Sequence, residues 1–526
     1  MPSHLTQNFR NSPSPQTSQN PQTFQNPQSS RILSQNTSHA MALPRRRFLL
    51  SGTVGALSAL AWLNGTSSAL RAAQPAVSGE SNLSPIPDAA ARATVKPWRV
   101  VRREEIAKVW SGNPVGFGFL QHENLLFAAF YDASDKKMVV GQKDWTQPES
   151  AWTFQKMPTA IGWDSHNYVR LALDSENYLH VSGNMHAVPL VYFRSSRPLD
   201  VTSLEVVNRM LAVSTSKEDL KAAHESRVTY PHFMTNAQGE LIFAYRDGAS
   251  GNGVQYWNVY DVSTKTWRRL IDCPLFDGEG DCNAYYQGPA MGPDGWYHVA
   301  WVWRDTPDCE TNHDLSYMRS RDLIHWEKSD GSPQALPVTR SNSEVVAPLK
   351  NGEGLLNPLV RLGFDAEKRV VISYTRYDEN SNNQLMQARR ESDGWKHYQT
   401  TDWTHSWVFS GRGCVPSELG FSSVECVDGR LEQYWNRKNE RSGRFFLDPA
   451  TLKVQDVVPP VPGLPRECTR CENPQENQQL KRDSFPDAQN PDRMFVFAWE
   501  TFPVNRDQPY DVVPEPSTLR FFVLER

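Results

Sequence analysis

The chain has 526 residues, 55 Lys and Arg against 59 Asp and Glu, a formal net charge of −4 and 39% hydrophobic residues. Residues 1–75 hold six Arg and no acidic residue, so the remainder carries −4 − 6 = −10. That balance argues against a nucleic-acid or anionic-membrane partner, though it leaves room for an anionic substrate in a local basic pocket.

The first 40 residues are mostly Gln, Asn, Ser, Thr and Pro. Such a segment buries too little apolar surface to offset its ordering entropy. It is expected to be a disordered extension, or to be untranslated with Met41 as the start. Residues 41–75 then have the character of a twin-arginine signal peptide. Arg45-Arg46-Arg47-Phe48-Leu49 is followed by a mild apolar run to Leu63 and then by small residues, and that run is too short for a membrane span. The sequence therefore predicts export by the twin-arginine route to the periplasm or beyond. After a linker at 76–94, residues 95–526 are expected to form one domain, monomeric and free of the membrane once the signal is removed.

That domain shows almost no helical periodicity. A turn followed by a strand of about six residues recurs instead, which is an all-β signature. Copies begin at Asn124, Tyr178, Glu240, Trp296, Arg369, Arg430 and Arg493. Each is followed by a second strand: Met138 to Gln142, Leu190 to Ser195, Tyr256 to Asp261, Leu315 to Ser320, Leu385 to Arg390, Arg444 to Asp448 and Leu519 to Leu524. Strand repeats of this period predict a seven-bladed β-propeller. The chain ends inside the last strand pair, so a strand near Trp98 to Arg102 is expected to close the ring and remove its exposed edges. A long β-sandwich or two β-domains is the competing architecture.

Propellers host many functions, so function must come from the residues at the channel mouth. His166 precedes the strand Val169 to Leu173, and His186 follows the next strand. Tyr230 opens an inner strand, Arg246 closes the strand Leu241 to Tyr245, and Tyr285 and Tyr286 enter the next repeat. On neighbouring blades these residues could face one pocket. Cleavage of a uronate polysaccharide by β-elimination needs a cation on the carboxylate, a base for the C5 proton and an acid for the departing O4. An Arg offers two parallel hydrogen bonds to a carboxylate, while His or Tyr can serve as base and acid. The residues leave open which of them does which, and no catalytic metal is required. Taken singly, each has a plainer reading: a hydrogen-bonded structural His, a packed Tyr230 before Pro231, or an Arg246–Asp247 salt bridge. His180 and His298, inside strands, are expected to be structural.

The run Gly162-Trp163-Asp164-Ser165-His166-Asn167-Tyr168 resembles the BNR-type propeller proteins that include ulvan lyases of polysaccharide lyase families 24 and 25. So do Val181-Ser182-Gly183-Asn184-Met185-His186 and the block from Gly288-Pro289 through Trp301-Val302-Trp303-Arg304-Asp305-Thr306-Pro307-Asp308-Cys309. The resemblance covers roughly 95–526 and is densest over 162–320. It implies elimination across the bond to a uronic acid in a sulfated, rhamnose-containing anionic polysaccharide. It also implies His166 and His186 as catalytic or substrate-contacting, Tyr230 as acid/base and Arg246 as carboxylate neutraliser. Asn167, Asn184, Tyr285, Tyr286 and Arg304 are expected around the substrate, either tyrosine of the 285–286 pair being able to align. The family resemblance further implies a structural zinc. Cys309 and His313 have ligand spacing, and Cys273 or Cys282 could complete the site.

The chain has seven Cys. Cys468-Thr469-Arg470-Cys471 suits one local disulfide or two free thiols, and Cys414 with Cys426 could pair across a hairpin. Two rival functions stand beside elimination. A sialidase-like glycoside hydrolase is suggested by the worn Asp-box Ser320 to Trp326, but it needs a flanking carboxylate pair. A non-catalytic glycan-binding propeller would keep an aromatic mouth without needing Arg, Tyr and two His together.

Overall fold

The computed structural model describes residues 96–211, 221, 223–440, 442–459, 463–472 and 478–526. The expected extension at 1–40, signal peptide at 41–75 and linker at 76–94 lie outside these residues. Among the described residues the regular structure is β-strand, interrupted by short 3₁₀ turns.

The strands form seven antiparallel sheets among the described residues. Strand Gly118–His122 opens the first sheet, and its relatives Val169–Leu173, Val228–Thr235, Asn283–Met291, Arg361–Phe364, Leu419–Phe421 and Gln479–Asp487 open the next six. In each sheet the second strand in space pairs on both sides. Leu125–Tyr131, Val370–Tyr377 and Tyr297–Arg304 are almost wholly enclosed, which is why they appear in the sequence as continuous apolar runs rather than alternations. Opening strands of successive sheets lie against one another: Gly118–His122 meets Val169–Leu173, which meets Val228–Thr235, and Asn283–Met291 meets Arg361–Phe364. Between the sheets pack aromatic layers, such as Phe119 stacked on Phe497 with centroids 4.0 Å apart.

The last sheet draws its outer strand from the other end of the domain. Arg99–Val109 pairs antiparallel with Ser517–Glu525, from Arg99 opposite Glu525 to Val109 opposite Ser517. The closing strand is longer than the Trp98 to Arg102 segment expected, because alternate side chains beyond Arg102 remain half-buried against the sheet.

Hairpin tips are fixed by Asp side chains that accept backbone N–H groups two or three residues on, a geometry that Asp and Asn favour. Asp132, Asp144, Asp261 and Asp448 each do this. The worn Asp-box is one such tip. Asp322 accepts the N–H groups of Ile324 and His325, while Ser320 Oγ donates to the carbonyl of His325. Trp326 is thereby turned into the core of the fourth sheet.

Two details near the third sheet depart from expectation. His186 does not merely follow a strand but starts a short one, His186–Val188, that leaves its own sheet and pairs with Val228–Thr235. Arg246 does not end a strand but sits within Leu241–Ala249, which continues because Asn252–Asp261 pairs with it along its whole length.

Candidate active site

The loop before Val169 and the loop after Gly183 run side by side. A Cβ on Gly183 would lie 2.4 Å from the Tyr168 carbonyl oxygen, so only glycine lets the two segments approach this closely. That approach stacks the rings of His166 and His186 with centroids 4.1 Å apart and planes 25° apart. Asp164 lies beneath both. Its Oδ1 is 2.7 Å from His166 Nδ1 and its Oδ2 is 2.5 Å from His186 Nδ1.

The strand His186–Val188 then links this pair to the third sheet. Ala187 N–H donates to Thr229 Oγ1 at 2.8 Å, and Thr229 Oγ1 also accepts from Arg246 Nη2 at 3.2 Å. The next residue, Tyr230, has φ of 60°, and the pairing register breaks between Thr229 and His232. A bulge of this kind re-aims a side chain and holds a non-glycine residue in a conformation it would not choose alone. Tyr230 is thereby placed with its ring 5.7 Å from that of His166 and 4.8 Å from the Arg246 guanidinium carbon. Arg246 is fully buried and donates to the Tyr285 hydroxyl at 3.3 Å, while its Nε has no hydrogen-bond partner. Ser250 Oγ lies 2.7 Å from the same Tyr285 hydroxyl.

Burial and charge divide the roles of these groups. Burial works against charge on His166, yet the Asp164 carboxylate outweighs it, aided by Cys414, and holds the imidazole well above its ordinary value. Asp164 is in turn kept well below the usual carboxylate range: its partial burial opposes this, and its hydrogen bonds to His166 and His186 prevail. The two phenols diverge. Burial, with Tyr285 beside it, pushes Tyr230 far up, against the pull of Arg246. Tyr285 is also buried, but Arg246, Arg304 and Ser250 outweigh that and bring it down to about 8.

His166, His186, Tyr230, Arg246 and Tyr285 thus converge. Tyr286 points the other way along the strand, stacked on Phe276 with centroids 5.7 Å apart in the core of the sheet. Of the two candidates, Tyr285 is therefore the pocket residue. Arg304 is nine-tenths buried, and its guanidinium is taken up by the carbonyls of Thr306, Pro307 and Asp308. It acts on the pocket through its charge, 5.4 Å from the Tyr285 ring, rather than as an open substrate contact. The side-chain amide of Asn184 is likewise engaged, by Thr159 Oγ1 and the Ala160 carbonyl. Asn167 is half-buried beside His166, and its carbonyl accepts from the Tyr131 hydroxyl at 2.6 Å.

The zinc set expected at Cys309, His313, Cys273 and Cys282 does not fit a zinc ion. Both ring nitrogens of His313 face carboxylates, Asp314 at 2.8 Å and Asp305 at 2.9 Å. Cys309 and Cys282 lie in separate apolar clusters, so their thiols do not meet at one ion. Among the described residues, ligand-type atoms within 4.8 Å of one another occur instead in the pocket, as Asp164, His166 and His186 and as His166, Cys414 and Asp507. All seven cysteines are free thiols, Cys414 and Cys426 included.

Three of these neighbours carried no role in the sequence reading. Asp164 was visible two residues before His166. Cys414 and Asp507 arrive from distant loops: Asp507 accepts from Ser165 N and Oγ and from Cys414 N, tying three segments together at the pocket edge.

A family model described as a BNR repeat-containing family member matches residues 125–403. A 63-residue stretch is 38% identical to "Ulvan lyase, short isoform" of Alteromonas sp. (strain LOR), and the match spans only 12% of this chain and 12% of that curated relative. Among solved structures, polysaccharide lyase Uly1 superposes with a TM-score of 0.53 at 12% identity, over 81% of this chain and 99% of that one. A PL25 ulvan lyase bound to -[GlcA(1-4)Rha3S]- gives a TM-score of 0.48 at 13% identity, over 80% and 95% of the two chains. At these identities the Uly1 likeness bears on the fold alone.

Proposed function

The chain belongs to the BNR repeat-containing family, and we propose that it is a polysaccharide lyase that cleaves a uronic-acid-containing, ulvan-like anionic polymer by β-elimination. The seven sheets are the blades of a propeller closed by Arg99–Val109, and the substrate binds across the loops of the second to fourth blades. The observation that carries this reading is the meeting of Arg246, Tyr285, Tyr230 and the His166–His186 pair in one cluster.

Arg246 and the His166 imidazolium stabilise the uronate carboxylate, which lowers the barrier to leaving charge on C5. Tyr285 is the base because it is the phenol held nearest to ionisation. It takes the C5 proton; the C5–H electrons form the C4=C5 bond and the C4–O4 bond breaks. Tyr230, which stays protonated, donates its proton to O4. The products are a 4,5-unsaturated uronate end and a free hydroxyl end. A polymer substrate is met outside the cytoplasm, in keeping with export through the residue 41–75 signal.

Hydrolysis is less well supported. It needs one free carboxylic acid and one free carboxylate across the bond, whereas Asp164 is committed to two imidazoles and Asp507 to Ser165 and Cys414. The deciding experiment incubates the purified protein with ulvan and a panel of other uronate polymers while following the ultraviolet absorbance of the new double bond. Rising absorbance is expected with ulvan. New reducing ends without absorbance would establish hydrolysis, and binding without either product would establish a glycan-binding module.

A further inference from the structure

Among the described residues, Asp164 is the one carboxylate in contact with both imidazoles. Oδ1 accepts the His166 backbone N–H at 2.9 Å as well as facing its Nδ1 at 2.7 Å, and Oδ2 faces His186 Nδ1 at 2.5 Å. An ionised carboxylate only accepts hydrogen bonds. Both Nδ1 atoms must therefore carry hydrogen, and the proton that each ring can gain or lose sits on Nε2. Two stacked rings 4.1 Å apart would repel if both were charged, and a shared anion between their Nδ1 edges relieves that repulsion.

We propose that Asp164 is a positioning residue of the site, fixing His166 and His186 as a stacked pair of Nδ1–H imidazoles whose Nε2 atoms are left for the uronate carboxylate. This rests on the lyase reading for its substrate but not for its geometry. The other groups around His166 do not duplicate the role. Asp507 Oδ2 is 3.5 Å from Nδ1 and is already engaged by the Cys414 N–H. The Cys414 sulfur is 3.9 Å from Nε2, on the opposite edge of the ring, so it supports the proton there without fixing Nδ1. The Tyr230 ring packs 5.7 Å away, and the cation of Arg246 lies 4.8 Å from the centre of that ring. The raised affinity of His166 for its proton agrees with Asp164 as its principal support, acting against burial.

Two measurements test this. The first needs no variant. Nitrogen-15 NMR of histidine-labelled protein, assigned with His166→Gln and His186→Gln, reads which ring nitrogen is protonated. Nδ1–H at both residues, with His166 fully protonated at neutral pH, is expected; an Nε2–H neutral tautomer at either residue overturns the proposal. The second compares Asp164→Asn with Asp164→Glu. Loss of the anion should lower kcat by about 10²–10⁴-fold with KM little changed, as for orienting carboxylates elsewhere. It should also move the alkaline limb of the pH–rate profile to lower pH, because His166 then loses its proton sooner. Asp164→Glu, which restores the anion, should recover part of the rate. Wild-type kcat and profile in a folded Asp164→Asn variant overturn the proposal. If the native protein eliminates no uronate polymer, the lyase reading fails and the NMR result alone decides the role of Asp164.

Discussion

Tyr230 and Tyr285 are two identical side chains, with ring centroids 6.1 Å apart, whose proton affinities are moved in opposite directions. Both are deeply buried, which favours the neutral phenol. The difference is in cations. Tyr285 has Arg246 donating to its oxygen and Arg304 against its ring, whereas Tyr230 meets the Arg246 guanidinium only through its face. The proposed base must be deprotonated to act, so kcat/KM on a uronate polymer should climb with pH toward about 8, where Tyr285 ionises, before the alkaline limb set by His166. Arg304→Gln removes one of the two cations without touching substrate, so the climb should shift to higher pH. Tyr285→Phe should abolish the climb and reduce kcat by about 10²–10⁴-fold, the usual worth of one proton-transfer group. A rate that does not change between pH 6 and 9, or an Arg304→Gln profile that matches the native one, would return the base to the histidines. Asp164 stood in the sequence beside His166, but Cys414 and Asp507 entered this site without warning: they come from loops of the sixth and seventh sheets, and nothing local to either marks it as a site residue. His166, Tyr230 and Arg246 were legible because each stands at the end of, or within, a recognisable strand copy, next to a loop rich in polar residues.

At the level of elements, the site depends on a crossing that strand periodicity could not reveal. His186–Val188 is three residues long, carries no alternation, and leaves its own sheet for its neighbour. Its path is set by Gly183 passing the Tyr168 carbonyl, and Gly183→Ala places a carbon 2.4 Å from that oxygen. Backbone cannot yield as a flexible side chain can, so this substitution should cost about 1–3 kcal/mol of stability and also separate the imidazole stack. Urea unfolding and kcat measured on the same sample would show both losses. Loss of stability alone would mean that the stack does not depend on this approach. The zinc expectation turns on the same level. Cys309 and His313 have the right spacing, but the 3₁₀ turn Cys309–Thr311 sends the thiol into the core while the strand Asn312–Ser320 carries His313 to two carboxylates. Spacing names candidate ligands; only the element between them decides whether they meet. The buried histidines fared better as structural groups. His180 bridges Tyr192 and Asp174, and His298 makes the same bridge between Tyr317 and Asp294 two sheets on. His180→Leu leaves Asp174 without this partner in the core. It should cost about 1–3 kcal/mol in denaturant unfolding and leave KM unchanged, since the ring lies within the second sheet, away from the pocket.

For the whole molecule, the strand from the start of the domain joins the last sheet to the first. The repeat made seven copies legible, and the missing outer strand of the last copy implied its own replacement. What the repeat could not give was the length of that strand. The structure extends it to Val109, with Lys143 and Glu104 paired at 2.8 Å across to the first sheet. Arg99–Val109 is therefore more than an edge cover: it couples the last sheet to the first. An open seventh sheet would expose the unpaired backbone of Ser517–Glu525, whose side chains are almost all buried, and such an edge invites pairing with other chains. A protein beginning at residue 96 should fold and retain the activity of the full chain. One beginning at residue 110 should lose cooperative unfolding and associate into large species on size-exclusion chromatography. Adding the 96–109 segment back as a separate peptide should restore part of the monomer peak by occupying the same edge. If the residue-110 form is instead monomeric, cooperative and active, then the sheets hold together without closure, and the ring is secured by the packing of their opening strands alone.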